Sequence, residues 1–65
     1  MTLEEIRLRV DRIGEIGDDG TAHEEEDRLH QDVLRAIAEG KCSDPSMCAD
    51  AALKTLRLDF ERWFY

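Results

Sequence analysis

The sequence predicts a small all-α protein, an antiparallel three-helix bundle with a short C-terminal helical turn. Apolar residues recur at intervals of three and four, which is the spacing of a helix buried along one face. Polar segments with glycine or proline divide the chain into three such stretches, and no hairpin signal indicates a strand. With 65 residues, the chain has room for one domain, which we expect to span 1–65.

The first helix is expected near residues 2–16. Thr2 is a good N-cap, and Glu5 three residues later completes a capping box. The helix should end before "GDDG", because the glycines disfavour its continuation. Its core stripe consists of Leu3, Ile6, Val10 and Ile13.

The second helix is expected near residues 21–39, with Thr21 as N-cap, Glu24 completing its capping box and Gly40 as the stop. Leu29, Val33 and Ile37 lie on its apolar stripe. Glu26 falls within the same stripe, where a buried carboxylate would need a partner. Two interpretations stay open. Either Glu26 remains in water because the first turn extends past the core, or it pairs with an arginine, for which Arg9 and Arg62 are the candidates.

The third helix is expected near residues 45–57. Asp44 is placed to cap it, and Pro45 suits its first position, where the missing amide costs nothing. A break near Leu58–Asp59 should separate it from a terminal helical turn. This part of the chain is predicted to add Ala52, Leu53, Leu56, Phe60 and Trp63 to the core.

Charge limits the classes of function. Sixteen acidic and nine basic residues give a net charge of -7, which disfavours direct nucleic-acid binding and favours a basic protein partner. No apolar stretch of about 20 residues indicates a membrane span, and the N-terminus does not resemble a signal peptide, so a cytoplasmic protein is expected. Cys42 and Cys48 are therefore expected to be reduced thiols, with a disulfide as the alternative.

His23, Asp27 and His30 share one flank of the second helix and form a candidate metal site. The two histidines, however, are separated by about 10 Å along the helix axis, and a tetrahedral site needs further ligands. The favoured interpretation is a helix N-terminus rich in acids, which suit the positive end of the helix dipole. No cofactor is expected.

A non-enzymatic interaction or accessory protein is the favoured function, because the chain offers no nucleophile with a base and no phosphate-binding loop. The candidate docking surface for a basic partner is an acidic region without Lys or Arg. Nucleic-acid mimicry by spaced carboxylates is an alternative, as is a metal-dependent activity at His23, Asp27 and His30. The acidic region consists of Glu15, Asp18, Asp19, Glu24, Glu25, Glu26 and Asp27.

Self-association as a homodimer is also expected, because several apolar residues, among them Leu8 and Leu34, fall outside the core stripes. The acidic region should stay at the periphery of a two-fold interface. The predicted contact therefore uses the third helix and the C-terminal aromatics, namely Met47, Ala51, Leu58, Phe64 and Tyr65.

The segments "AHEEEDRLHQDVLRAIAEG" and "LDFERWFY" resemble short acidic proteins of actinobacteria and their phages. The resemblance covers roughly residues 2–64. It implies a bacterial or phage cytoplasmic setting, and it carries over no activity and no catalytic or binding residue.

Overall fold

The computed structural model describes residues 1–62, which form three α-helices and one 3-10 turn. The helices are α1 (Leu3–Glu15), α2 (Asp19–Ala38) and α3 (Pro45–Leu53), and the 3-10 turn follows directly at Lys54–Arg57. Each α-helix contacts the other two, and no strand occurs in residues 1–62. The all-α three-helix class with a short C-terminal helical turn is confirmed, although this turn lies at Lys54–Arg57, before the predicted break and not after it. The antiparallel arrangement stays a prediction. Within the same residues, none of the helices has the length and apolar character needed to cross a bilayer.

Helix α1 begins where its cap predicts. The Glu5 amide donates to Thr2 Oγ1 over 3.2 Å, which satisfies one of the free amides of the first turn. The carboxylate of Glu5 accepts from the Thr2 hydroxyl over 3.4 Å rather than from the Thr2 amide, so the capping box is only half formed.

Helix α2 begins three residues earlier than predicted, because Asp18 caps it in place of Thr21. Both the amide and the hydroxyl of Thr21 donate to Asp18 Oδ2, over 2.9 and 2.6 Å. The predicted Thr21 cap is therefore wrong, since Thr21 itself lies within the first turn.

Gly40 ends α2 as predicted. Its φ of +70° is a left-handed conformation that glycine adopts without strain. The amides of Gly40 and Lys41 donate to the carbonyls of Ile37 and Ala36 over 3.1 and 2.8 Å. This pair of bonds is a Schellman motif, and it turns the chain toward α3.

Helix α3 has the predicted start, with Asp44 accepting from the Met47 amide over 3.1 Å and Pro45 in the first turn. After Leu53 the helix tightens into the 3-10 turn, and Leu58 is extended. The predicted break near Leu58–Asp59 is confirmed. No further helical turn follows in residues 58–62, and the rest of that prediction lies outside the described residues.

The core confirms most of the expected stripes. Ile6, Ile13, Leu29, Val33 and Ala52 are buried, and Leu3, Val10, Ile37 and Phe60 pack against them partly buried. The prediction is wrong for Leu53 and Leu56, which are 55% and 60% exposed. Trp63 lies outside the described residues. The remaining buried apolar residues are small: Ala22, Ala36, Cys42, Cys48 and Ala51.

The error on the third helix has a physical cause. Its buried side consists of small residues, Cys48, Ala51, Ala52 and Thr55, so the helix can lie close to its neighbours. This side is rotated by roughly 80° from the predicted one at 100° per residue. The rotation leaves the larger side chains of Leu53 and Leu56 in solvent.

Candidate functional site

A shallow apolar groove runs between α2 and α3, and we call it the α2–α3 groove. Its volume is about 270 Å³. Val33 and Ala52 are buried beneath it, whereas Leu34 on α2 and Leu53 on α3 stand exposed beside it. The described lining is completed by His30 and Ala49.

The two leucines are unusually placed for residues of their size. Leu34 is 66% exposed and Leu53 is 55% exposed, while alanines of the same two helices, Ala36 and Ala52, are buried. A single exposed leucine is ordinary, but here large apolar side chains from two helices lie beside one groove and enlarge its exposed apolar area. Leu56, also exposed, follows Leu53 by three residues across the 3-10 turn, in which residues three apart lie on the same side.

His30 fixes one wall of the α2–α3 groove. Its Nε2 lies 3.1 Å from the Ala52 carbonyl oxygen and 3.0 Å from Thr55 Oγ1. The Thr55 hydroxyl in turn donates to the Ala52 carbonyl oxygen over 3.2 Å, so the three groups form one hydrogen-bonded cluster. The ring therefore connects α2 to the end of α3 and to the 3-10 turn.

One helical turn before His30, a buried ion pair holds the C-terminal segment, and we call it the Glu26–Arg62 clamp. Nε and Nη2 of Arg62 donate to the two carboxylate oxygens of Glu26 over 2.8 and 3.0 Å. The same Nη2 donates to the Thr55 carbonyl over 2.8 Å, and the guanidinium carbon lies 3.8 Å from the ring centre of Phe60. The clamp thus joins α2, the 3-10 turn and the segment after it.

The clamp decides between the two interpretations of Glu26. The residue is 3% exposed, so the interpretation that it stays in water is wrong, and its pairing with Arg62 is confirmed. The other candidate partner, Arg9, instead donates to Asp32 over 2.8 Å and connects α1 to α2.

The electrostatics of the clamp disfavour catalysis by Glu26. Burial by itself would raise the pKa of Glu26, but hydrogen bonds from Arg62 and Thr55 outweigh it and hold that pKa below its ordinary value. The hydrogen bond to Glu26 in turn raises the pKa of Arg62. Because Glu26 stays ionised and both of its oxygens accept from Arg62, it anchors the chain and is poorly suited to transferring protons.

The metal candidates do not come together at one point. His23 Nδ1 lies 3.6 Å from Asp27 Oδ2, whereas His30 directs its Nε2 away from them, toward Ala52 and Thr55. Within residues 1–62, no group of three or more His, Cys, Asp or Glu side chains is arranged to hold a metal ion. The structure therefore lends the metal hypothesis no support.

The acidic region is partly engaged within the molecule. Glu26 is in the clamp, Asp18 caps α2, and Glu25 accepts from Arg28 over 2.9 Å. Hydrogen bonds from the hydroxyl and the amide of Thr21 lower the pKa of Asp18. The region therefore offers a partner fewer carboxylates than its sequence suggests.

The residues predicted for a dimer contact differ in their exposure to solvent. Met47 is 49% exposed, but Ala51 is 4% exposed and belongs to the core, so its assignment to a surface is wrong. Leu58 is half-buried, and its Cδ2 lies 3.3 Å from where a Cβ on Gly14 would stand. It packs against the core and does not form the exposed strip that was predicted. Phe64 and Tyr65 lie outside the described residues.

The two thiols lie in the core and take no part in the groove. Cys42 and Cys48 are free and buried. Burial, followed by a hydrogen bond to Cys48, raises the pKa of the Cys42 thiol. Both features suit inert structural cysteines.

Fold and site together define a small three-helix protein that exposes leucines beside an apolar groove and holds its C-terminal segment by a buried ion pair. Comparison of the chain with protein-family models, with curated proteins and with solved structures finds no match.

Proposed function

We propose that the protein is a non-enzymatic interaction module that docks a partner protein through the α2–α3 groove. The observation that carries the proposal is the reversal of side-chain size on α3, where alanines are buried while Leu53 is 55% exposed. Together with Leu34 on α2, this arrangement forms an apolar surface that a partner could cover.

The chemistry of the groove favours binding over catalysis. Of its six described lining residues, five are apolar, and the sixth, His30, engages its Nε2 with Ala52 and Thr55. Neither a nucleophile nor a carboxylate belongs to this described lining, so the surface offers contact area and no reactive pair.

The net charge of -7 supports a basic partner. It repels a second identical copy, although salt screens this repulsion beyond about 8–10 Å. A homodimer remains a second candidate. Because Ala51 is buried and Leu58 half-buried, such a dimer would use the same groove rather than the predicted contact.

Burial of Leu34 and Leu53 by a partner would make a large contribution to the free energy of binding. Full burial of a leucine stabilises by about 1.5–3 kcal/mol, so covering the exposed half of each contributes about 2–3 kcal/mol together. Since 1.4 kcal/mol corresponds to a tenfold change in affinity, the pair accounts for roughly 30- to 100-fold.

The experiment is an affinity capture from the native host with variants of the groove. Leu34→Gln and Leu53→Gln are each expected to reduce recovery of the partner by about tenfold. Leu8→Gln is the matched control, because Leu8 is 50% exposed on α1 and is not among the described groove residues. Circular dichroism shows that each variant is folded. Equal recovery with all three variants, or an equal loss with Leu8→Gln, would contradict the proposal.

A further inference from the structure

We infer that Cys42 and Cys48 are a thiol–disulfide pair, which a small-molecule disulfide converts into a covalent bond between the α2–α3 connection and α3. The connection consists of residues 39–44, and Cys48 belongs to α3. Both cysteines are free and buried in one core cluster. The inference goes beyond the proposed function and is independent of it, because neither cysteine belongs to the described lining of the α2–α3 groove.

The start of α3 brings the two cysteines together. Cys42 lies two residues before the Asp44 cap, and Cys48 is the fourth residue of the helix. A side chain at this fourth position commonly packs back against the chain that precedes the cap. The Cys48 amide donates to the Asp44 carbonyl over 2.9 Å, which fixes the turn that carries Cys48. The sequence therefore places one thiol on each side of a well-formed helix cap.

The two thiols are in hydrogen-bond contact. Cys42 is 9% exposed and Cys48 is 0% exposed, so neighbouring core side chains hold both of them in place. The amide of Lys41 donates to the Ala36 carbonyl over 2.8 Å, which ties the residue before Cys42 to the end of α2. Because both cysteines are held, the folded chain keeps the two sulfur atoms closer together than the unfolded chain does.

The chemistry needs one oxidant, a small-molecule disulfide. The Cys42 thiol, the more exposed of the two, loses its proton and attacks one sulfur of that disulfide, which releases one small thiolate. Cys48 then loses its proton and attacks the Cys42 sulfur of the mixed disulfide, which releases the second small thiolate. The two cysteines are oxidised, the small disulfide is reduced, and the two released thiolates take up the two protons.

Burial makes this reaction slow without changing its equilibrium. It raises the pKa of the Cys42 thiol, and the thiolate is the form that attacks. Cys42 lies outside the helices, so a local opening of the connection exposes it while the three helices stay folded. The disulfide should therefore form slowly in the folded chain and still be the stable product.

The fold and the disulfide should stabilise each other. Closing the loop from residue 42 to residue 48 restricts the unfolded chain, which favours the folded state by a factor of roughly 50 when the folded structure accepts the bond without strain. Strain lowers this factor, and we expect at least about tenfold. By linkage, the equilibrium constant for forming the disulfide is larger in the folded chain than in the unfolded chain by the same factor.

The test incubates the full chain with mixtures of reduced and oxidised glutathione, once in buffer and once in urea, until the composition is constant. Acid quenching, alkylation and intact mass spectrometry then distinguish the intramolecular disulfide, which lacks two hydrogen atoms, from mixed disulfides. We expect one intramolecular disulfide in the folded chain, with an equilibrium constant at least about tenfold larger than in urea. The oxidised chain should melt at least about 5 °C above the reduced chain.

The inference is overturned if the main oxidised product is a mixed disulfide or a disulfide between two chains. It is also overturned if the equilibrium constant in the folded chain is no larger than in urea, or if the oxidised chain melts below the reduced one. Cys42→Ala and Cys48→Ala are the matched controls, because each keeps a single thiol and should give a mixed disulfide only. If either variant fails to fold, the comparison of the natural chain in buffer and in urea decides the inference by itself.

Discussion

Removing the arginine of the Glu26–Arg62 clamp should leave a buried charge without its partner. Arg62→Met keeps a long apolar side chain beside Phe60 but deletes the donors to both Glu26 oxygens. Glu26 is 3% exposed, so water cannot replace the lost hydrogen bonds without a rearrangement. The variant should therefore be much less stable than the natural chain.

The size of the effect follows from the geometry. Breaking a buried ion pair by removing one partner costs about 3–5 kcal/mol. The lower end, about 3 kcal/mol, applies here because the Arg62 side chain is 28% exposed and the pair is partly reached by water. A chain of 65 residues has a free energy of unfolding of roughly 3–10 kcal/mol at about 0.05–0.15 kcal/mol per residue. Arg62→Met should thus remove a third or more of the total stability.

The loss of stability in Arg62→Met should depend on pH, and the direction of this dependence follows from the pKa of Glu26. In the natural fold the pKa of Glu26 is lowered, so its contribution to stability is present above its ordinary pKa of 4.5 and is lost as pH falls through the folded value. In Arg62→Met, burial dominates and raises that pKa, which favours the neutral acid. The difference in free energy of unfolding between the natural chain and Arg62→Met should therefore become smaller as pH falls from 7 to about 4.

Urea unfolding followed by circular dichroism at pH 7 and pH 4 measures both effects. The double variant Glu26→Met, Arg62→Met is the control, because it removes the charge together with its partner and should recover at least half of the loss. A deficit below about 1 kcal/mol at pH 7, a deficit that is the same at both pH values, or a double variant less stable than Arg62→Met would refute the reasoning.

Three further predictions concern the helix ends and the thiols. Gly40→Ala should lower the free energy of unfolding by about 1–2 kcal/mol and the melting temperature by about 4–16 °C, because alanine is strained at a φ of +70°. Gly17→Ala is the control and should not lower the melting temperature, because a Cβ at that position would meet open space. Asp18→Ala should lower the melting temperature at pH 7 but not at pH 2. The reason is that hydrogen bonds from the Thr21 hydroxyl and amide stabilise the ionised form of Asp18 and lower its pKa. An equal loss of melting temperature at both pH values would contradict this prediction. The two buried cysteines should react slowly with a thiol reagent at pH 7 in the folded chain and rapidly in urea, and fast reaction before unfolding would show that they are accessible.

Capping residues and helix-stop signals in the sequence were enough to predict the helices and most of their ends. Thr2, Asp44 and Gly40 act within one helical turn of their own positions, so neighbouring residues suffice to identify them. The start of α2 was missed because Asp18 and Thr21 can both cap a helix, and the choice depends on how the chain leaves α1.

The placement of α3 and the partner of Glu26 required the tertiary structure. Size alone suggested that Leu53 and Leu56 face the core, yet close packing of the helices selects the smaller residues. Helical spacing correctly placed Glu26 on the buried stripe, but it could not choose between Arg9 and Arg62, because Arg62 is 36 residues away along the chain. The groove was missed for the same reason, since it depends on which side of α3 turns outward.

The distance in sequence across the Glu26–Arg62 clamp also bears on how long the folded chain persists. A contact that closes 36 residues has a high entropic cost, so we expect it to form after the rate-limiting step of folding. Interactions absent from the transition state change the rate of unfolding and leave the rate of folding almost unaltered. Arg62 would then govern the lifetime of the native state, and a loss of about 3 kcal/mol would make unfolding roughly 100-fold faster.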